Sequence, residues 1–166
     1  MKQVINIIIE NKEIDRIRKK YDKNYGKIKS HISLVYPFEV DDGELREHIN
    51  NIINNFGKFE IILRGFEKSA KEYYLYLLID KGNEKIIELY KKFNSGILSG
   101  FKNKDMPVYI PHVTLGVFNS EEEINKAVQE LEKQKIKIKF FVDKINLLTL
   151  NGDFSINKQE DFQLKL

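Results

Sequence analysis

The chain of 166 residues contains no cysteine, which removes disulfides, thiol nucleophiles and thiolate metal sites at once. That absence is compatible with a reducing compartment. Long apolar runs are missing as well. The run Val4–Ile9 (VINIII) is cut off by Glu10 before any small-residue cleavage site and is too short for a signal-peptide core. Nothing approaches the roughly 20 apolar residues that a membrane span requires. The sequence therefore reads as cytoplasmic, without a membrane partner. No low-complexity stretch, proline-rich linker or long charge block divides it. A glycine-rich phosphate loop is lacking too, because Ser95–Gly100 (SGILSG) is sparse in glycine and has no lysine-hydroxyl ending. The charge imbalance is small: 28 Lys and Arg against 25 Asp and Glu, a formal net of +3. Such a balance suits a small phosphate-bearing ligand better than a long duplex, whose binders carry a stronger basic footprint.

What is present fits one domain. A content of 42% hydrophobic and 32% charged residues is ordinary for a soluble globular chain. At this length folding buries roughly 70% of the surface of the unfolded chain, enough for a core without staples. Periodicity predicts four amphipathic helices. The first runs from about Lys12 to Asn24, with Ile14, Ile17 and Tyr21 on one face. The second runs from about Asp42 to Asn55 and carries Leu45, Ile49, Ile52 and Ile53. A third starts at Asn83 and carries Ile86, Ile87, Tyr90 and Phe93. The fourth opens with Ser120 and Glu123 at capping-box spacing and buries Ile124, Ala127, Val128 and Leu131.

Short apolar segments between these helices read as strands: Val4–Ile9, Phe59–Phe66, Tyr73–Ile79, Ile136–Phe140 and Ile145–Leu150. Asn151-Gly152 is a tight-turn signal into Phe154–Ile156, and the tail FQLKL alternates again. Mixed elements with frequent hairpin signals point to an antiparallel α+β fold. Ser95–Met106 (SGILSGFKNKDM) reads as a mobile surface loop before the second histidine motif, where Lys102 and Lys104 could reach a ligand.

Two of the three histidines begin the same four-residue pattern: histidine, branched aliphatic, hydroxyl, leucine. They are His31-Ile32-Ser33-Leu34 and His112-Val113-Thr114-Leu115, about half the chain apart. Each is preceded and followed by an amphipathic helix, so the chain reads as one domain, 1–166, of two pseudo-repeated lobes. With this composition a given histidine is followed by the pattern on the order of one time in a thousand. In a strand, successive side chains point to opposite faces. His31 then shares a face with Ser33, and His112 with Thr114, while the aliphatic residues anchor each strand in a core.

Two imidazoles and two hydroxyls facing one groove match the needs of phosphodiester cleavage. A neutral histidine, with an ordinary pKa of about 6.5, takes a proton from an attacking hydroxyl or water. A protonated one donates to the departing oxygen, and the hydroxyls bond the non-bridging oxygens. Neither role requires a metal or other cofactor. Metal-ligand spacings such as HxH or HxxxH do not occur. His48 sits among Glu44, Glu47 and Asn50, away from the apolar face, and reads as a solvent-side histidine. Tyr36, Tyr73 and Tyr74 read as core aromatics, Tyr36 having the parity of Ile32 and Leu34. Tyr109, just outside the second motif, is carried forward as a substrate-binding candidate.

The motifs HISL and HVTL resemble the paired H-x-[ST] signature of the 2H phosphoesterase superfamily. That superfamily includes the 2'-5' RNA ligase-like proteins and the cyclic nucleotide phosphodiesterases. The stretches RKKYDKNYGKIKSHISLVYPFEV and VYIPHVTLG look closest to its small bacillus-type branch, and the resemblance covers essentially the whole chain. It implies a bilobal fold in which two antiparallel sheets flank a central groove, with helices outside and one motif in each lobe. It also implies metal-independent hydrolysis of 2',3'-cyclic phosphates, or cleavage and joining of 2',5' linkages. His31 and His112 would be catalytic, and Ser33 and Thr114 phosphate-binding. The partner expected is a nucleotide or an RNA end. The competing expectation is a binding module that uses the same groove without turnover, although binding alone would more naturally use arginine or lysine.

Overall fold

Caps and periodicity place the helices of the computed structural model, which describes residues 1–106 and 108–166. Helix α1 (Lys12–Tyr21) starts at Asn11, whose side chain accepts the N–H groups of Glu13 and Ile14. It stops three residues before the expected end, because Asp22 leaves helical geometry and its carboxylate accepts the N–H of Asn24. Helices α2 (Asp42–Ile53) and α3 (Asn83–Phe93) bury Leu45, Ile49 and Ile53, and Ile86, Leu89 and Phe93. Helix α4 (Glu121–Lys133) is capped by Ser120 Oγ on the N–H of Glu123. The Glu123 carboxylate reaches back one residue further than a capping box requires, to the N–H of Asn119.

Eight strands among the described residues form two antiparallel sheets. In chain order they are β1 (Gln3–Ile8), β2 (His31–Phe38), β3 (Phe59–Lys68), β4 (Tyr74–Lys81), β5 (His112–Val117), β6 (Ile138–Val142), β7 (Lys144–Leu150) and β8 (Ile156–Gln163). The first sheet has the order β2-β1-β7-β8 and the second β5-β4-β3-β6. The orders match: each sheet carries one histidine motif on its edge strand, next to the strand that precedes it in the chain. The helix in each of these connections packs across the molecule, α1 against β5 and α3 against β2. One buried cluster, which includes Ile32, Leu34, Leu77, Val113 and Leu115, runs continuously between the sheets. No helix among the described residues is long and apolar enough to cross a membrane.

The two motif strands share an irregularity that alternation does not anticipate. The pairing of β2 with β1 slips between Asn6↔Ser33 and Ile5↔Val35, and that of β5 with β4 slips between Tyr76↔Thr114 and Leu75↔Gly116. Consecutive residues are buried at each slip, Leu34-Val35 and Leu115-Gly116. Beyond it the parity flips. Tyr36 therefore joins the face of His31 and Ser33 instead of the core face of Ile32 and Leu34, and Val117 joins the face of His112 and Thr114. Gly116 also permits a close approach of α1: a Cβ there would lie 2.8 Å from the Tyr21 Cβ and 2.9 Å from its carbonyl oxygen.

Three other expectations change. The tail is one continuous strand, β8, running through the polar stretch between the two short segments anticipated at Phe154–Ile156 and FQLKL. None of its residues is fully buried, so it carries no apolar alternation. Gly96–Phe101 is a 3-10 helix, not a free loop, because Leu98 is fully buried and the Phe101 ring packs 6.0 Å from that of Phe38. His48 is half-buried rather than solvent-side. Its Nε2–H donates to the carbonyl of Phe93 at 3.0 Å, and the rings meet edge to face, which joins α2 to the end of α3.

Candidate active site

Each motif histidine is the first residue of its strand, and each is fixed in the same way. The Nδ1–H of His31 donates to the Lys29 carbonyl at 2.7 Å, and that of His112 to the Ile110 carbonyl at 2.8 Å. A carbonyl can only accept, so the proton stands on Nδ1 in both rings and Nε2 is the unprotonated nitrogen of the neutral form. His31 and Thr114 line one cavity of about 160 Å³, together with Tyr74, Val117, Arg18 and Asp22. One residue of each motif thus lines the same cavity, whose lining among the described residues includes neither Ser33 nor His112.

Burial pushes both imidazoles below the ordinary histidine value. For His31 the bond to the Lys29 carbonyl opposes this, the positive charges of Arg18 and His112 lower it further, and the Asp22 carboxylate raises it. For His112 the Ile110 carbonyl and the charge of Glu67 oppose the burial. The Tyr76 ring lies against His112 with centroids 3.8 Å apart, and Tyr74 stacks behind Tyr76 at 6.4 Å. Tyr36 is also raised, by burial first and then by Tyr90 and Tyr76. Among the described residues no three His, Cys, Asp or Glu side chains converge where a cation could sit.

Tyr109 has a different setting from a free stacking platform. Its ring lies parallel to that of Tyr90, with centroids 3.8 Å apart, and its hydroxyl donates to the Ser33 carbonyl at 2.7 Å. It ties the segment before β5 to β2, and burial pushes its phenol well up. Tyr109→Phe keeps the ring and deletes this bond, so it is expected to cost about 1 kcal/mol, read from urea unfolding. Lys102 and Lys104 are exposed, and the Tyr36 hydroxyl contacts the Met106 sulfur at 3.3 Å.

Sequence reasoning passes over three parts of this site. Tyr76 could be found from the alternation of Tyr74, Leu75 and Tyr76 on β4. Tyr36 is hidden by the bulge. The Arg18–Asp22 pair carries helical spacing that on most helices means an exposed ion pair, whereas here both side chains are buried.

Residues 9–154 match the sequence profile of the 2'-5' RNA ligase superfamily. The chain belongs to this family. It is a 2H phosphoesterase by that membership, and relatives support the assignment. A Geobacillus sp. (strain WCH70) protein named "Putative phosphoesterase" is 29% identical over 145 residues, covering 84% of this chain and 82% of that one. A Staphylococcus aureus (strain JH1) protein of the same name is 26% identical over 144 residues, with 84% and 83% covered. Solved structures share the fold. TT0787 of Thermus thermophilus superposes with a TM-score of 0.65 at 12% identity, covering 99% of this chain and 98% of that one. Escherichia coli LigT complexed with 3'-AMP gives 0.59 at 16% identity, with 99% and 95% covered. Kluyveromyces marxianus Usb1 with uridine monophosphate gives 0.57 at 12% identity, with 98% of each covered.

Proposed function

We propose that this 2H phosphoesterase acts on RNA-like phosphodiesters, hydrolysing 2',3'-cyclic phosphates or cleaving and joining 2',5' linkages. In this reading His31 and His112 work as a paired acid and base without a metal. Each sheet acts as one lobe and supplies one imidazole and one hydroxyl. The observation that carries the reading is the matched mounting of the motifs. Both bulged edge strands hold their histidine by Nδ1 and keep an imidazole and a hydroxyl on one face.

The neutral histidine takes a proton from the attacking oxygen through Nε2, and the protonated one delivers a proton to the leaving oxygen. Ser33 and Thr114 hydroxyls donate to the non-bridging oxygens as charge grows there. The aromatic wall of Tyr76 and Tyr36 suits a nucleobase, and the nucleotides bound by LigT and Usb1 support a nucleotide ligand.

The test is incubation of the pure protein, in EDTA, with the four nucleoside 2',3'-cyclic phosphates and a 2',5'-linked dinucleotide. Turnover is expected to survive chelation. Its kcat/KM should follow a bell-shaped pH profile, since one histidine must be neutral and the other charged. Burial lowers both pKa values, so the bell should centre on the acid side of about 6.5. A protein that binds these nucleotides but never turns them over would be a binding module instead.

A further inference from the structure

The two ends of the groove differ, although the two sheets share one strand order. On the last turn of α1, the Arg18 Nε donates to Asp22 Oδ2 at 3.0 Å, and each side chain is only 4% exposed. Arg18 Nη2 also donates to the Ile28 carbonyl at 2.7 Å. The matching positions of α3 hold Tyr90 and Asn94, with no ion pair. There Asn94 Nδ2 donates to the carbonyls of Leu34 and Tyr90, each at 2.8 Å. A helix end is thus seated at one side of the groove without charge. Burying two charges carries a desolvation cost that an apolar pair would avoid, so packing alone does not account for Arg18 and Asp22.

Their surroundings supply a reason. The Ile28 carbonyl held by Arg18 precedes Lys29, whose own carbonyl accepts the His31 Nδ1–H. Arg18, Asp22 and His31 line one cavity. The charged and titratable groups around His31 are Arg18 and Asp22 from α1, Tyr74 from β4, His112 from β5 and the adjacent Lys29. The Arg18 cation disfavours a proton on His31 and outweighs the opposite effect of Asp22. His112 has the reverse surroundings, with Glu67 favouring its proton and the Tyr76 ring on its face.

We propose that Arg18, braced by Asp22, is a positioning residue for His31. It holds the turn that aims the imidazole, and its charge makes His31 the partner that accepts the proton, leaving His112 to donate. The proposal rests on the two-histidine reading above. In cyclic phosphate hydrolysis, His31 Nε2 takes a proton from water as the water oxygen bonds phosphorus. The bond from phosphorus to one ribose oxygen breaks, and His112 gives that oxygen its proton. The product is a phosphomonoester with a free hydroxyl, and solvent restores both histidines.

The experiment is the pH profile of kcat/KM on a nucleoside 2',3'-cyclic phosphate for the wild type, Arg18→Gln, Arg18→Lys and Asp22→Asn. Arg18→Gln removes a cation beside His31, so the acid limb should move up by roughly half a pH unit or more. Asp22→Asn removes the anion, so that limb should move down. Arg18→Lys should return it toward the wild-type position, and the basic limb, set by His112, should stay. Equal loss of activity at every pH with both limbs in place would reduce the pair to a structural brace and overturn the proposal. Movement of the basic limb in Arg18→Gln would overturn the assignment of roles. Should Arg18→Gln fail to fold, the downward shift expected of Asp22→Asn, set against the near wild-type limb of Arg18→Lys, decides the matter. An NMR titration of His31 in the same proteins reads the shift without turnover. A protein that turns nothing over but shows these shifts would fail the functional reading while keeping the effect of Arg18 on His31.

Discussion

Alanine at His31 or at His112 is expected to lower turnover of a nucleoside 2',3'-cyclic phosphate about 10²- to 10⁴-fold. Neither change removes core volume. Each histidine begins its strand half-buried, and the aliphatic neighbours Ile32 and Val113 stay fully buried behind it. The thermal midpoint should therefore move little, which separates loss of chemistry from loss of fold. The double variant sharpens the test. If one histidine must give a proton as the other takes one, removing the second after the first costs little more, because groups that act as a unit are not additive. A double variant whose loss is the product of the two single losses would mean that the histidines act independently.

The largest effect on stability is expected from Arg18→Ala. It leaves the Asp22 carboxylate buried without its cation and the Ile28 carbonyl without its donor. Breaking a buried pair in this way costs about 3–5 kcal/mol. That is a large share of the roughly 5–15 kcal/mol that holds a domain folded. Urea unfolding should show a much lower midpoint with a similar slope. Replacing both partners by apolar residues, Arg18→Met with Asp22→Leu, should return much of the lost stability. A small loss in Arg18→Ala would mean that water reaches the pair in solution.

The sequence discloses those parts of this fold that local chemistry decides. Ser120 announces a helix start because an unpaired N–H group needs a side-chain acceptor close by in the chain. The histidine motifs are legible for a related reason, since the two-residue period of a strand puts His31 with Ser33 and His112 with Thr114. Tyr36 goes astray where that period fails, at a bulge defined by its pairing with β1 and therefore by residues far away. β8 reads as two pieces because an edge strand is held by its hydrogen bonds to β7, not by an apolar face. Arg18 and Asp22 go unnoticed in the sequence because their burial depends on how α1 meets β5, a tertiary fact. Leu98 and His48 are misplaced for the same reason: what covers them comes from other elements.

The place of β7 in the first sheet sets the order in which the molecule can be built. β1 pairs with β7 through Val4↔Leu148 and Asn6↔Asn146, and the N–H of Ile8 donates to the Asn146 side chain across 138 residues of chain. Such distant pairings bring their reward only after the closure entropy of a long loop has been met, which makes them slow. During synthesis β1 with β2, and then β3, β4 and β5, can pair while β7 is still unmade. The first sheet as a whole must wait for nearly the whole chain to emerge, because β7 joins β1 to β8. A newly made molecule thus holds the paired β1 and β2 without the strands that complete their sheet, and that sheet is closed only by the last part of the chain to be made.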